Sequence, residues 1–65
     1  MKIIVNGDAR DITAASLAGA LDELGLGRTV VATALNGEFV SSAARGATML
    51  ADGDRLEVLA PMQGG

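Results

Sequence analysis

Two Asn-Gly pairs do more than any other feature to restrict how this chain can fold. Asn6-Gly7 follows the β-rich run Lys2-Ile3-Ile4-Val5, and Asn36-Gly37 follows a second apolar run over residues 30–35. A tight two-residue hairpin needs positive φ at both central positions, a demand that Asn followed by Gly meets well. Each pair therefore predicts an antiparallel hairpin, with returning strands over residues 9–12 and 38–40. Asp52-Gly53 marks a further turn, ahead of a last strand over residues 54–59.

Between the hairpins the apolar spacing becomes helical. Leu17, Ala20, Leu21 and Leu24 follow the i, i+3, i+4, i+7 rhythm, Ser16 stands where an N-cap belongs, and Gly25 suits the left-handed position after a helix. This helix is short and one-faced. Gly19 inside it costs about 1 kcal/mol relative to Ala, so the helix needs a sheet to pack against. A chain of 65 residues buries only about 60% of its unfolded surface, which allows one core. Phe39 is the only aromatic among 49% apolar residues, so that core is aliphatic.

The resulting order is hairpin, helix, hairpin, final strand. A final strand lying parallel beside the first needs a long crossover, which the helix supplies. The predicted class is α+β: a ubiquitin-like β-grasp domain over residues 1–60, with a mixed sheet of four to five strands packed on one helix. A flexible tail is expected over residues 61–65, because Pro61 cannot donate a ladder hydrogen bond and termini are ordered only when tied down.

Strand alternation sends Ile3, Val5, Thr33, Leu35, Leu56 and Val58 inward and Lys2, Ile4, Ala32, Ala34, Arg55, Glu57 and Leu59 outward. Either Phe39 or Val40 faces the core; with Val40 inward, Phe39 is partly exposed. Residues 41–46 read as a small polar connection. Thr48-Met49-Leu50 lays Met49 or Leu50 over the open end of the core.

Composition removes most chemistry. Without Cys or His there are no disulfides, thiolate nucleophiles, imidazole bases or usual zinc ligands. Asp52 and Asp54 lack the spacing and ligand number of a calcium loop, so no metal site is expected. Ser41 and Ser42 have no histidine to activate them, and Lys2 is most simply a solvated strand residue. Net charge is −3, with Lys2, Arg10, Arg28, Arg45 and Arg55 scattered, which argues against a nucleic-acid partner. The first apolar run is too short for a signal peptide or a membrane span, and a cytoplasmic location is expected.

The sequence closes on Leu59-Ala60-Pro61-Met62-Gln63-Gly64-Gly65. Two glycines without side chains can enter a narrow channel in another protein. An α-carboxylate with a pKa of about 3.3–3.7 is ionised at neutral pH and can attack the α-phosphate of ATP to form an acyl-adenylate. There is no Walker A loop, and Gly25-Leu26-Gly27 lacks the third glycine of a dinucleotide fingerprint. No cofactor is expected on this chain, so a partner must supply the ATP.

The segments Ala34-Leu35-Asn36-Gly37-Glu38-Phe39-Val40, Leu50-Ala51-Asp52-Gly53-Asp54-Arg55-Leu56-Glu57-Val58 and Met62-Gln63-Gly64-Gly65 resemble the ThiS family of sulfur carriers from thiamine biosynthesis. The resemblance spans essentially the whole chain. It implies that the carboxylate of Gly65, reached through Gly64, is adenylated by a ThiF/E1-like adenylating enzyme. It further implies conversion to a thiocarboxylate by a cysteine desulfurase route and delivery of sulfur to thiazole synthase, ThiG. The chain would then be a co-substrate and not an enzyme. By the same likeness the outer sheet face beside the tail docks partners, through Leu59, Phe39, Ala32, Ala34 and Met62. Met62 stands where a β-branched residue is frequent, and Gly19 where a better helix former is. Three other roles fit a Gly-Gly β-grasp chain: a molybdopterin-synthase small-subunit-like carrier, a ubiquitin-like modifier joined through Gly65 to lysines, and a plain interaction domain with an idle tail.

Overall fold

Both Asn-Gly pairs form the turns their chemistry demands, with φ of +50° and +51° at Asn6 and Asn36 and +88° and +84° at Gly7 and Gly37. In the computed structural model, which describes residues 1–60, the first turn joins β1 (Lys2–Val5) to β2 (Asp8–Asp11) and the second joins β3 (Ala32–Leu35) to β4 (Glu38–Val40). The last strand, β5 (Arg55–Leu59), lies between them, parallel to β1 and antiparallel to β3, so the sheet order is β2-β1-β5-β3-β4. The strand nearest the tail is therefore the central one. This is the predicted α+β, ubiquitin-like β-grasp arrangement. The expected tail, 61–65, lies outside the described residues.

One helix, α1 (Leu17–Glu23), makes the crossover. Ser16 Oγ accepts from the Gly19 amide at 3.1 Å, satisfying an otherwise unpaired donor of the first turn. At the other end the amide of Leu26 donates to the Leu21 carbonyl and that of Gly25 to Asp22, a Schellman closure with Gly25 at φ +81°. Leu17, Ala20 and Leu21 enter a core with Ile3, Val5, Ile12, Leu50, Leu56 and Val58, while Leu24 is only half-buried against it.

Gly19 corrects the expectation that a better helix former would serve there. A Cβ at this position would lie 2.9 Å from the Ala14 Cβ and 3.3 Å from Ser16 Oγ. Glycine is present because the chain entering the helix passes too close for a methyl group. The connection after β4 also differs from the sequence expectation: it is a 3₁₀ helix, Ser42–Ala47. Arg45 secures it, with Nε donating to Thr33 Oγ1 at 3.0 Å and Nη2 to the Val31 carbonyl at 2.6 Å. Thr33, 2% exposed, in turn donates to the Val40 carbonyl at 2.7 Å, so the one buried polar side chain of the core has both its roles filled.

Of the two residues proposed to cover the open end of the core, Leu50 is buried and Met49 exposed. Residues 48–50 run against the chain entering the helix: the Leu17 amide donates to Thr48 O at 2.9 Å and the Leu50 amide to Ala15 O at 2.8 Å. That pairing turns Leu50 inward. On the other side of the helix, the Glu23 carboxylate accepts from the Thr13 amide, the Thr13 hydroxyl and the Ala14 amide at 2.9–3.1 Å. The Thr13 amide and hydroxyl, with Ala14 adding to them, hold the Glu23 pKa below its ordinary value of 4.5.

Gly19→Ala should lower the urea midpoint. Overpacking of about 1–3 kcal/mol outweighs the helix-propensity gain of about 1 kcal/mol, and a raised midpoint would show that Ala14 yields freely. For Glu23 the folded pKa lies below the unfolded one, so its contribution is complete above 4.5 and disappears as pH falls through the lowered value. Acid titration of stability should accordingly be shallower below pH 4.5 in Glu23→Gln than in the natural chain; identical slopes would remove Glu23 as the cause.

Candidate functional site

The candidate site is the sheet face away from the helix, at the end where β5 stops. Alternation along β5 buries Leu56 completely and leaves Leu59 67% exposed. Cross-strand register then decides which residues join it. Leu59 stands opposite Ala32, and Ala34 stands between Glu57 on one side and Phe39 on the other. Val40 packs toward the core and Phe39 is 74% exposed. With strands about 4.8 Å apart and rises of about 3.3 Å per residue, Leu59 and Phe39 stand roughly 12 Å apart on this face. Ala32 and Ala34 form a low floor between them.

Four of the five docking residues singled out from the sequence, Leu59, Phe39, Ala32 and Ala34, thus share one face. Ala32 is exposed and Ala34 half-buried. Met62, and the terminal pair Gly64 and Gly65, lie outside the described residues. Arg55 and Glu57 border the patch on β5, and Ile4 of β1 is half-buried beside Arg55. An apolar centre rimmed by charge is the make-up of a transient protein interface.

Asp52 and Asp54 act in the framework. Asp52 Oδ1 accepts from the Lys2 amide at 2.7 Å, while Asp54 accepts from the Ala51 amide at 2.8 Å and from Asn36 Nδ2 at 3.1 Å. Among the described residues no group of three or more acidic side chains could hold a metal ion. No helix there is long and apolar enough to cross a membrane.

Sequence reasoning assigned Asn6 and Asn36 to turns and missed their second task. Asn6 Oδ1 accepts from the Val58 amide at 2.8 Å and its Nδ2 donates to the Val58 carbonyl at 3.0 Å. Asn36 Oδ1 accepts from the Arg55 amide at 3.0 Å, and the Asn36 amide donates to Arg55 O at 2.8 Å. Each hairpin turn therefore grips the last strand, one at its start and one near its end. The available signal was the choice of asparagine at both turns, since a carboxamide offers a donor and an acceptor side by side as a peptide unit does.

The fold is a β-grasp domain with an exposed apolar face beside its central strand. The sequence profile of the ThiS family matches residues 3–65, and the chain belongs to that family. A crystal structure of the thiamine biosynthesis protein ThiS from Geobacter metallireducens is similar over the whole of both chains, with 33% identity and a TM-score of 0.83. A solution structure of a thiamine biosynthesis protein from the same organism is 33% identical, with a TM-score of 0.78, over all of this chain and 88% of the other. No curated protein matches the chain.

If Phe39 and Leu59 face solvent for docking and not for folding, Phe39→Thr and Leu59→Thr should each change unfolding free energy by no more than about 1 kcal/mol. Leu56→Ala on the inner face of the same strand should cost about 2–5 kcal/mol. Chemical denaturation of the three variants checks this, and a large loss at Phe39 would make it a core residue.

Proposed function

We propose that this chain is a sulfur carrier of thiamine biosynthesis, with the carboxylate of Gly65 as the group that carries sulfur. The observation that supports this most is the extent of the likeness: the family match runs through Gly65 and the Geobacter ThiS structure is covered end to end. In this reading a ThiF/E1-like adenylating enzyme binds ATP. The Gly65 carboxylate oxygen attacks the α-phosphate, pyrophosphate leaves, and an acyl-adenylate forms. The terminal sulfur of a persulfide, supplied through a cysteine desulfurase route, then displaces AMP to give an acyl disulfide, and a thiol reductant attacks its distal sulfur, releasing the thiocarboxylate and leaving as a mixed disulfide. Thiazole synthase, ThiG, takes the sulfur, and the carboxylate is regenerated. A cytoplasmic location belongs to the same reading.

The chain's own residues contribute presentation. Among the described residues no group of acidic side chains could hold a metal ion, and the sequence has no Walker A loop. What they provide is a central strand that ends beside the patch of Phe39, Ala34, Ala32 and Leu59. A partner seated on that patch has the tail within reach, because six extended residues from Ala60 to Gly65 span about 20 Å.

Intact mass after incubation with ATP, a ThiF-type enzyme and a sulfide donor tests this reading. The full-length chain should gain the difference between sulfur and oxygen, and a chain lacking Gly65 should gain nothing. No gain with an enzyme shown to be active on its own carrier would overturn the proposal, and a covalent adduct to protein lysines would replace it with the modifier role.

A further inference from the structure

We propose that Asn6 is a positioning residue for the terminal glycine, acting through Val58. This rests on the sulfur-carrier reading above and adds a residue to it.

The β1–β5 ladder runs in parallel register from Ile4 opposite Arg55 to Val5 opposite Leu56. Its main-chain rungs on this side are the Ile4 amide to Asp54 O at 2.8 Å and the Asn6 amide to Leu56 O at 3.0 Å. At Asn6 the backbone turns away into the hairpin, at φ +50°. The next rung of a parallel ladder would pair Val58 with main-chain groups of β1 that are no longer there. The Asn6 carboxamide stands in for both of them, accepting from the Val58 amide at 2.8 Å and donating to the Val58 carbonyl at 3.0 Å. The two Val58 groups also fix which end of the carboxamide is oxygen, since only one orientation satisfies both.

Position gives this bond its consequence. On the β3 side the last pairing of β5 is Leu59 with Ala32. On the β1 side the last tie is Asn6, and the proposed tail starts three residues after Val58. Without the carboxamide, β5 would be held near its end from one side only, and the point from which Gly65 is projected would widen. A partner would then have to order the strand end as it binds, which raises KM and leaves kcat little changed once the complex has formed.

The test uses the full-length chain with three changes. Asn6→Asp and Asn6→Gly both tolerate the left-handed backbone and break the bidentate pair, Asp by placing a carboxylate oxygen against the Val58 carbonyl. Ile12→Val trims the core beside β2 and serves as a stability control. Amide exchange is read at Val58 relative to Leu56, together with KM and kcat for adenylation by a ThiF-type enzyme at a temperature where all chains are folded. The expected result is Val58 exchange at least about tenfold faster in both Asn6 variants. KM should also rise about tenfold with kcat within about twofold, while Ile12→Val changes neither. Faster Val58 exchange with an unchanged KM overturns the positioning role, as does an equal rise in KM for Ile12→Val. Loss of the fold in both Asn6 variants overturns it too, since Asn6 would then hold the domain itself. Failure of the natural chain to be adenylated overturns the sulfur-carrier reading and this role with it.

Discussion

The seating of the last strand between the two hairpins is the constraint on which the rest of the structure depends. β5 is the centre of the sheet, yet it arrives last, and its ties to β1 reach 52 residues back along the chain. Closing a loop of that length costs roughly 3–4 kcal/mol in chain entropy plus a constant. Full burial of Leu56 and near-full burial of Val58 return about 1.5–3 kcal/mol each, a gain of the same size as the closure cost. Burial also restricts the register, because a one-residue slip would turn the apolar set to solvent. Asn36 at Arg55 and Asn6 at Val58 add directional bonds to the main-chain ladders at the start and near the end of the strand.

That register carries over to function. Moving β5 by one residue would send Leu56 and Val58 to solvent and Leu59 into the core, and the apolar patch opposite Ala32 would disappear. The same pairing that makes the core therefore makes the exposed apolar face and sets where the chain leaves the sheet.

Much of this was legible in local sequence. The Asn-Gly turns, the Ser16 cap, the Gly25 closure and the inward sets on β1 and β5 follow from φ preferences, capping chemistry and alternation, which act over a few residues. Non-local contacts were less legible. Glycine at position 19 looked like a weak helix residue until Ala14 was found 2.9 Å from where a Cβ would sit. The 3₁₀ helix after β4 carries no periodic apolar signal, being held by Arg45 reaching to Thr33 and Val31. Glu23 is exposed and outside the apolar rhythm, and its partners Thr13 and Ala14 lie across a loop.

The sequence by itself determined the order of elements, the faces of the strands and the Gly-Gly end, because each depends on neighbours along the chain. It also determined the family, whose profile matches almost every residue. Only the tertiary structure decided that Phe39, Ala34, Ala32 and Leu59 share one surface, and that Leu50 rather than Met49 closes the core. It alone gave the turn asparagines their second task on β5. Those outcomes depend on which strand lies beside which, a choice made by packing and cross-strand register between residues up to 52 positions apart.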